Sequence, residues 1–277
     1  MNDIQTWHYG LVARDWAELE TDAGPEIAYF ADLIRTNGQP ALDLGCGTGR
    51  LLLPFLRADL EVDGCDVSPD MLARCRDLAH AEGRTPNLYA QAMHQLDLPR
   101  RYRTIIACGV VGLGGSRQLT RAGFRRCYDH LRPGGVFVFD YHPRWNDPPA
   151  WMSRLPQNRH ALPDRWPHAS ERRRLADGAE LEIATRTVEM NALDEVATRQ
   201  IRARLWREDR LVQEEVHTQQ VEDYNTSELK LMLELAGFAS VNVFGDYTDE
   251  AATSDHRTLL FVCRKSDQPT DAKRGGS

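Results

Sequence analysis

Residues 41–50 read ALDLGCGTGR, three alternate glycines set between two apolar runs. Glycine weakens strands and helices, but it tolerates positive φ and lets other atoms approach the backbone closely. The apolar Ala41–Leu44 run therefore reads as a strand that stops abruptly at Gly45. From Arg50 to Arg57, Leu51, Leu52, Phe55 and Leu56 recur with helical spacing. Pro54 fits that helix only near its first turn, where a missing N–H costs little. A strand, a tight glycine turn and a helix present free backbone N–H groups at the positive end of a helix dipole. Such a turn suits an anionic or polar ligand group. A glycine-rich turn that binds nothing would look the same in isolation, so the segments downstream must decide.

Leu60, Val62 and Cys65 outline a second strand that ends at Asp66, with Val67 and Ser68 following. A carboxylate about 20 residues beyond a glycine turn is where a βαβ nucleotide unit meets ribose hydroxyls. Asp66 or Ser68 would also cap the next helix, which the spacing predicts over Pro69 to Ala81 with proline at its first position. Further strands are expected at 87–91, 104–108 and 136–140, alternating with helices. That order indicates a doubly wound, mainly parallel sheet, which binds ligands at the carboxyl ends of its strands. The glycine turn, Asp66, Cys108 and His142 all fall on that edge.

The set of segments resembles the class I S-adenosylmethionine-dependent methyltransferases. LDLGCGTGR is similar to their first cofactor motif and CDVSPDML to the acidic second-strand motif. HLRPGGVFVFD (130–140) resembles the turn and fifth strand, and AGFASVNVFGDY (236–247) with RTLLFVC (257–263) the closing strand pair. The matches run in family order over roughly residues 40 to 263. The resemblance implies a Rossmann-like seven-stranded α/β fold and S-adenosyl-L-methionine as cofactor, with S-adenosyl-L-homocysteine as product. It also implies roles. Gly45 and Gly47 would bring backbone against the methionine part, and Asp43 would orient that loop through hydrogen bonds. Asp66 would hold the ribose hydroxyls, Met71 would pack on adenine, and Cys108 would lie beside the amino-acid end. Cys46, Val67, Ala92, Met93 and the cap residue Tyr9 complete the implied cofactor contacts. The stretch Gln91-Ala92-Met93-His94 lacks the acid that family members often place beside the adenine edge, leaving Gln91, His94 or water for that contact.

Residues 1–37 read as a helical cap over the cleft, anchored by Trp7, Leu11, Trp16, Ile27, Phe30 and Ile34, and 38–145 as the cofactor-binding core. In 143–168, six prolines with Trp145, Trp151 and Trp166 predict an irregular but ordered lid or substrate wall. Alternation over 180–190, 198–206 and 211–221 predicts three antiparallel strands, so 146–222 is an insertion after the fifth strand that forms a lid, a substrate wall or a contact between two copies in a homodimer. Its placement resembles that of methyltransferases acting on small amines. Asn225-Thr226-Ser227-Glu228 resembles a capping box before a helix over Glu228–Ala236, which Gly237 stops. Residues 223–265 return to the core, and 266–277 form a polar tail expected to be disordered.

A net charge of −7 argues against a broad nucleic-acid face, and Glu171-Arg172-Arg173-Arg174 reads as a solvated run. No apolar run approaches the length of a membrane span, and MNDIQTWHYG lacks the basic-then-apolar pattern of a secretory signal, so the expectation is a cytoplasmic protein. The six cysteines form no CxxC pair and imply neither a metal site nor a disulfide framework. The expected activity is methyl transfer to a nitrogen or oxygen of a small-molecule acceptor. The alternative is a protein of the same fold that binds the cofactor without transferring methyl, as a cyclase or binding protein. A nicotinamide oxidoreductase fits less well, because the glycines run G-x-G-x-G rather than G-x-G-x-x-G. His142, which follows the fifth strand, is the candidate general base, since neutral imidazole can take a proton near pH 7.

Overall fold

A computed structural model describes residues 6–20, 24–168 and 170–267. Two helices, α1 (Gly10–Glu18) and α2 (Pro25–Asn37), precede the first strand. Then β1 (Ala41–Leu44), α3 (Leu52–Arg57), β2 (Val62–Asp66), α4 (Pro69–Ala81), β3 (Leu88–Ala90), β4 (Tyr102–Ala107), α5 (Arg117–His130) and β5 (Leu131–Tyr141) alternate as the sequence predicts. Two short helices, α6 (Pro148–Met152) and α7 (Pro156–Arg159), lie in the proline-rich stretch. They lead to β6 (Arg172–Arg174), β7 (Glu180–Asn191), β8 (Val196–Arg207) and β9 (Arg210–Glu222), and the chain closes with α8 (Thr226–Ala236), β10 (Ser240–Gly245) and β11 (Leu259–Arg264).

The first sheet has seven strands in the order β10-β11-β5-β4-β1-β2-β3, parallel except for β11. Period-two alternation sends successive side chains of β5 to opposite faces. Phe137 and Phe139 join the layer under α5 and α8, where Phe139 stacks on Phe261 at 4.8 Å. Val136 and Val138 join Phe30, Ile34, Leu52 and Phe55 in the layer under α2 and α3. Helix α4 begins where Pro69 predicts, and Ser68 is its cap, accepting from the Met71 N–H at 3.2 Å. Helix α8 starts at Thr226, two residues earlier than expected, because the Asn225 side chain caps it by accepting from the Glu228 N–H.

The insertion forms a second, antiparallel sheet in the order β6-β7-β8-β9. Its inner face packs Leu181, Ile201, Ala203 and Leu205 against Leu11 and Val12 of α1. Strand β6 falls on the arginine run read as solvated. Arg172 lies over the Trp206 ring, while Arg173 bonds Asp15 and Glu20 and so ties the sheet to the N-terminal cap. The proline-rich segment binds the opposite side. Trp166 lies within 4.5 Å and 4.6 Å of the Arg186 and Arg202 guanidinium carbons, and Arg144 and Arg154 both bond Asp223. Among the described residues no helix is long and apolar enough to cross a membrane. Residues 268–277, most of the expected tail, lie outside the described residues.

Candidate active site

The carboxyl ends of β1, β2, β4 and β5 border a cavity of about 700 Å³. Gly45, Gly47 and Gly49 turn with φ of +75°, +53° and +94°, as alternate glycines require. Their reasons differ. A Cβ on Gly45 would sit 2.3 Å from Val110 Cγ2, and one on Gly49 would sit 2.9 Å from Cys75 Sγ, so both are glycine to allow packing. Over Gly47 the nearest atom is Met71 Cε at 3.5 Å, and over Gly109 nothing lies within 4 Å. Those two glycines present bare backbone to open space at the cavity wall.

Asp66 fixes the turn. Its Oδ2 accepts from the Gly47 N–H at 2.9 Å and its Oδ1 from the Ser68 N–H at 2.8 Å. Burial raises its pKa, and the N–H groups of Ser68, Gly47 and Val67 act against that rise. Each carboxylate oxygen retains a second lone pair for a ligand hydroxyl. Asp43 sits deeper, 1 % exposed, and its Oδ2 has no hydrogen-bond partner. Burial pushes its pKa up to about 7, partly opposed by Arg50 and the Leu52 N–H. Asp66, which ends its strand beside the turn, thus holds the Gly47 N–H, while Asp43 within β1 meets the Leu52 N–H at the start of α3.

Val67, Met71, Ala92 and Met93 form an apolar part of the wall, with Cys46 behind the turn. Gln91 also lines it, but its carboxamide bonds the Asp97 N–H at 2.8 Å and the Asp97 carbonyl at 3.3 Å. His94 remains on the wall, its pKa lowered by burial. From the cap, Thr6, Trp7, His8 and Trp16 face the cavity. Tyr9 does not line it; the Gly10 N–H bonds Asp70 at 2.8 Å, and the Tyr9 ring turns toward His217. Half-buried His8 is held neutral, with its pKa pushed down by desolvation to about 4. None of the described side chains of 143–168 lines the cavity: Trp145 bonds the Ser254 carbonyl, Arg144 and Arg154 bond Asp223, and Trp166 lies on the far face of the second sheet.

At the ends of β4 and β5, where the sequence placed Cys108 and His142, a polar cluster adds Asp140, Arg50, Glu26 and Tyr247, none of which was expected there from the sequence. Asp140, 2 % exposed, accepts from the Gly109 N–H at 2.6 Å, the Tyr247 hydroxyl at 2.7 Å and Cys108 Sγ at 3.2 Å. Burial and the Asp140 charge raise the Cys108 pKa strongly, so Cys108 stays a thiol rather than a nucleophile. Arg50 bonds Glu26 and approaches Cys108 Sγ at 3.7 Å. His142 lies at the cavity rim with its side chain 61 % exposed. Its Nδ1 is 3.2 Å from Thr258 Oγ1 and its Nε2 3.7 Å from Asp140 Oδ2. An acid closing the "FVFD" strand was the available signal for Asp140; nothing local marked Arg50, Glu26 or Tyr247.

The two walls offer an open glycine backbone, an orphaned carboxylate oxygen and a bonded acid with free lone pairs, a donor set that fits a nucleoside bearing a cationic amino-acid arm. Comparison with known proteins agrees. The family described as a methyltransferase domain matches residues 41–135. A protein of Geobacillus sp. (strain WCH70) named as a methyltransferase is 25% identical over 240 residues, covering 83% of this chain and 86% of that protein. A dTDP-3-amino-3,4,6-trideoxy-alpha-D-glucopyranose N,N-dimethyltransferase of Streptomyces venezuelae is 31% identical over 130 residues, 45% of this chain and 52% of its own. An S-adenosylmethionine-dependent methyltransferase structure from Clostridium acetobutylicum ATCC 824 superposes with a TM-score of 0.68 at 16% identity, covering 92% of this chain and 98% of that one.

Proposed function

We propose that this chain, a class I S-adenosylmethionine-dependent methyltransferase, transfers methyl to a heteroatom of a small polar acceptor, with the amine of an amino sugar as its substrate class. The observation that carries the reading is the shared cavity: the glycine turn and Asp66 on one side, His142 and Asp140 on the other, in one space of about 700 Å³. That size lies within the range of small-molecule sites, roughly 300–1,000 Å³. The 31% identity to an amino-sugar N,N-dimethyltransferase supports nitrogen and a sugar.

Asp66 would accept from the two ribose hydroxyls while keeping its bonds to Gly47 and Ser68. Met71, Val67, Ala92 and Met93 would flank the adenine, and Gly45, Gly47 and Gly109 would border the amino-acid arm with Cys46 and Cys108 packed behind. Asp43, ionised on binding, would face the arm's ammonium group, and Arg50 its carboxylate. The bound cofactor supplies a methyl group activated by a sulfonium. The chain's part is alignment and exclusion of water, which Trp7, His8 and Trp16 serve from the cap. His142 would take the proton from the acceptor amine, held by Thr258 and facing the Asp140 carboxylate. In this division residues 38–145 and 223–265 serve the cofactor, and 1–37 with 146–222 the acceptor.

The test is a panel of amino sugars, free and as nucleoside diphosphates, each beside its hydroxyl analogue, incubated with methyl-labelled S-adenosylmethionine. Label in an N-methyl product of an amino sugar is expected. Label confined to hydroxyl analogues would overturn the nitrogen assignment, and no transfer to any sugar would overturn the substrate class.

A further inference from the structure

Strand β9 carries Gln219, which lines the cavity yet is only 1 % exposed. Neither its Nε2 nor its Oε1 has a hydrogen-bond partner. Leaving a buried carboxamide unsatisfied is costly, and native structures retain such groups for a reason. Three residues on, the Glu222 N–H bonds the Gly112 carbonyl at 2.8 Å. Gln219 thus roofs the part of the cavity bordered by Gly109, Val110 and Leu113, away from the adenine-side residues of β2 and β3.

Its direct cross-strand partner on β8 is Arg199, which does not itself line the cavity but leaves the same face of the sheet beside Gln219. Arg199 is half-buried, and among the described residues it has no ion pair or hydrogen bond. Asp147 and Asp223, the carboxylates whose charges reach it, are bonded by Arg144, and Asp223 also by Arg154. Burial and the charges of Arg144 and Arg154 outweigh those acids and lower its pKa. A sheltered guanidinium among two others, in a chain of net charge −7, is a place for an anion.

We infer that Gln219 and Arg199 form the acceptor subsite: Gln219 reads a hydroxyl or carbonyl of the acceptor with its free amide, and Arg199 holds an anionic group attached to it. This rests on the methyltransferase reading above and deepens it, since it states that the acceptor is an anion. A phosphoryl group and a sugar carboxylate share the required oxygen fork.

The experiment uses the full chain loaded with S-adenosylhomocysteine, titrated calorimetrically with dTDP, pyrophosphate, glucuronate and uncharged thymidine. At least one anion is expected to bind, thymidine is not, and Arg199→Gln is expected to weaken the anion at least tenfold while leaving S-adenosylhomocysteine affinity unchanged. Preference for dTDP and pyrophosphate identifies a phosphoryl group, and preference for glucuronate a carboxylate. For Gln219 the readout needs no acceptor: Gln219→Leu removes an unsatisfied amide and should raise the Tm of the cofactor-loaded protein by about 2–4 °C. Failure of every anion to bind, or equal binding by Arg199→Gln, would overturn the anion site, and a lower Tm for Gln219→Leu would make Gln219 a structural residue. Failure of wild type to bind S-adenosylhomocysteine at all would instead strike the methyltransferase reading.

Discussion

The two sides of the cavity differ in how their polar groups are spent. On the seven-stranded sheet, Asp66 accepts from two backbone N–H groups and Asp140 from an N–H, a hydroxyl and a thiol before any ligand arrives. On the antiparallel sheet, Gln219 lines the cavity with both amide atoms unpartnered, and beside it on the same face Arg199, outside the lining itself, is reached by the charges of carboxylates already bonded by others. The first side is organised in advance, which lowers the cost of ordering a ligand that never changes. The second keeps its donors and acceptors unspent, at a cost of about 1–3 kcal/mol per buried group. That cost is tolerable where a ligand offsets it, and the proposed acceptor subsite would place discrimination on the inserted sheet rather than on the seven-stranded core.

The sharpest break of this comparison is at the junction of the two sides. His142→Ala should lower kcat about 10²–10⁴-fold if the imidazole takes the acceptor's proton. A pH–rate profile at saturating cofactor checks it; a variant that keeps both the rate and the acid limb removes His142 as base. Gly45→Ala comes next. It forces a Cβ against Val110 at 2.3 Å and a side chain into φ +75°, and should cost about 2–5 kcal/mol of stability. Gly47→Ala meets nothing nearer than 3.5 Å and should cost only about 1–2 kcal/mol. Urea unfolding of both variants compares them, and equal losses would mean that the turn is not divided into packing and ligand positions.

Asp66→Ala should weaken S-adenosylhomocysteine by about 2–3 kcal/mol, since it removes the proposed ribose acceptors and the anchor of the Gly47 N–H together. Calorimetry measures this, and unchanged affinity would take Asp66 out of the site. Asp43 gives a smaller, pH-dependent effect. With its pKa raised to about 7 by burial, it is protonated in the free protein at pH 6 and must ionise to face an ammonium group. Affinity for S-adenosylhomocysteine should therefore rise about tenfold from pH 6 to pH 8 with proton release, and Asp43→Asn should flatten the slope. The sign for folding is opposite: a raised carboxyl pKa favours the native state at low pH, and that contribution is lost as pH climbs from about 4 through 7. The smallest effect is expected for Trp166→Ala. It loses two cation–π contacts on the outer face, about 1 kcal/mol of stability, with cofactor affinity unchanged.

Much of the cofactor side was legible because its signals are local. Alternate glycines dictate the turn, Pro69 and Ser68 set the start of α4, and period-two alternation assigns Phe137 and Val138 to opposite layers. Those constraints act over a few residues, through φ, missing N–H groups and side-chain direction, and so can be read from a short window.

What only the tertiary structure decided is where distant side chains meet. Gln219 reaches the cavity because the β8–β9 register and the bond from Glu222 to Gly112 lay that strand over the end of β4. In the proline-rich stretch, expected as a lid or substrate wall, Trp166 meets two guanidinium groups on the outer face, while Arg144 and Arg154 meet Asp223 at the end of β9. Tyr9 lies beside His217, and the Gly10 N–H that follows it bonds Asp70, sixty positions on. Arg50 meets Glu26 and Cys108, and Asp140 meets Tyr247, across separations of 24, 58 and 107 residues. No local pattern encodes such encounters, because their partners are chosen by strand order and burial, which exist only once the chain has folded.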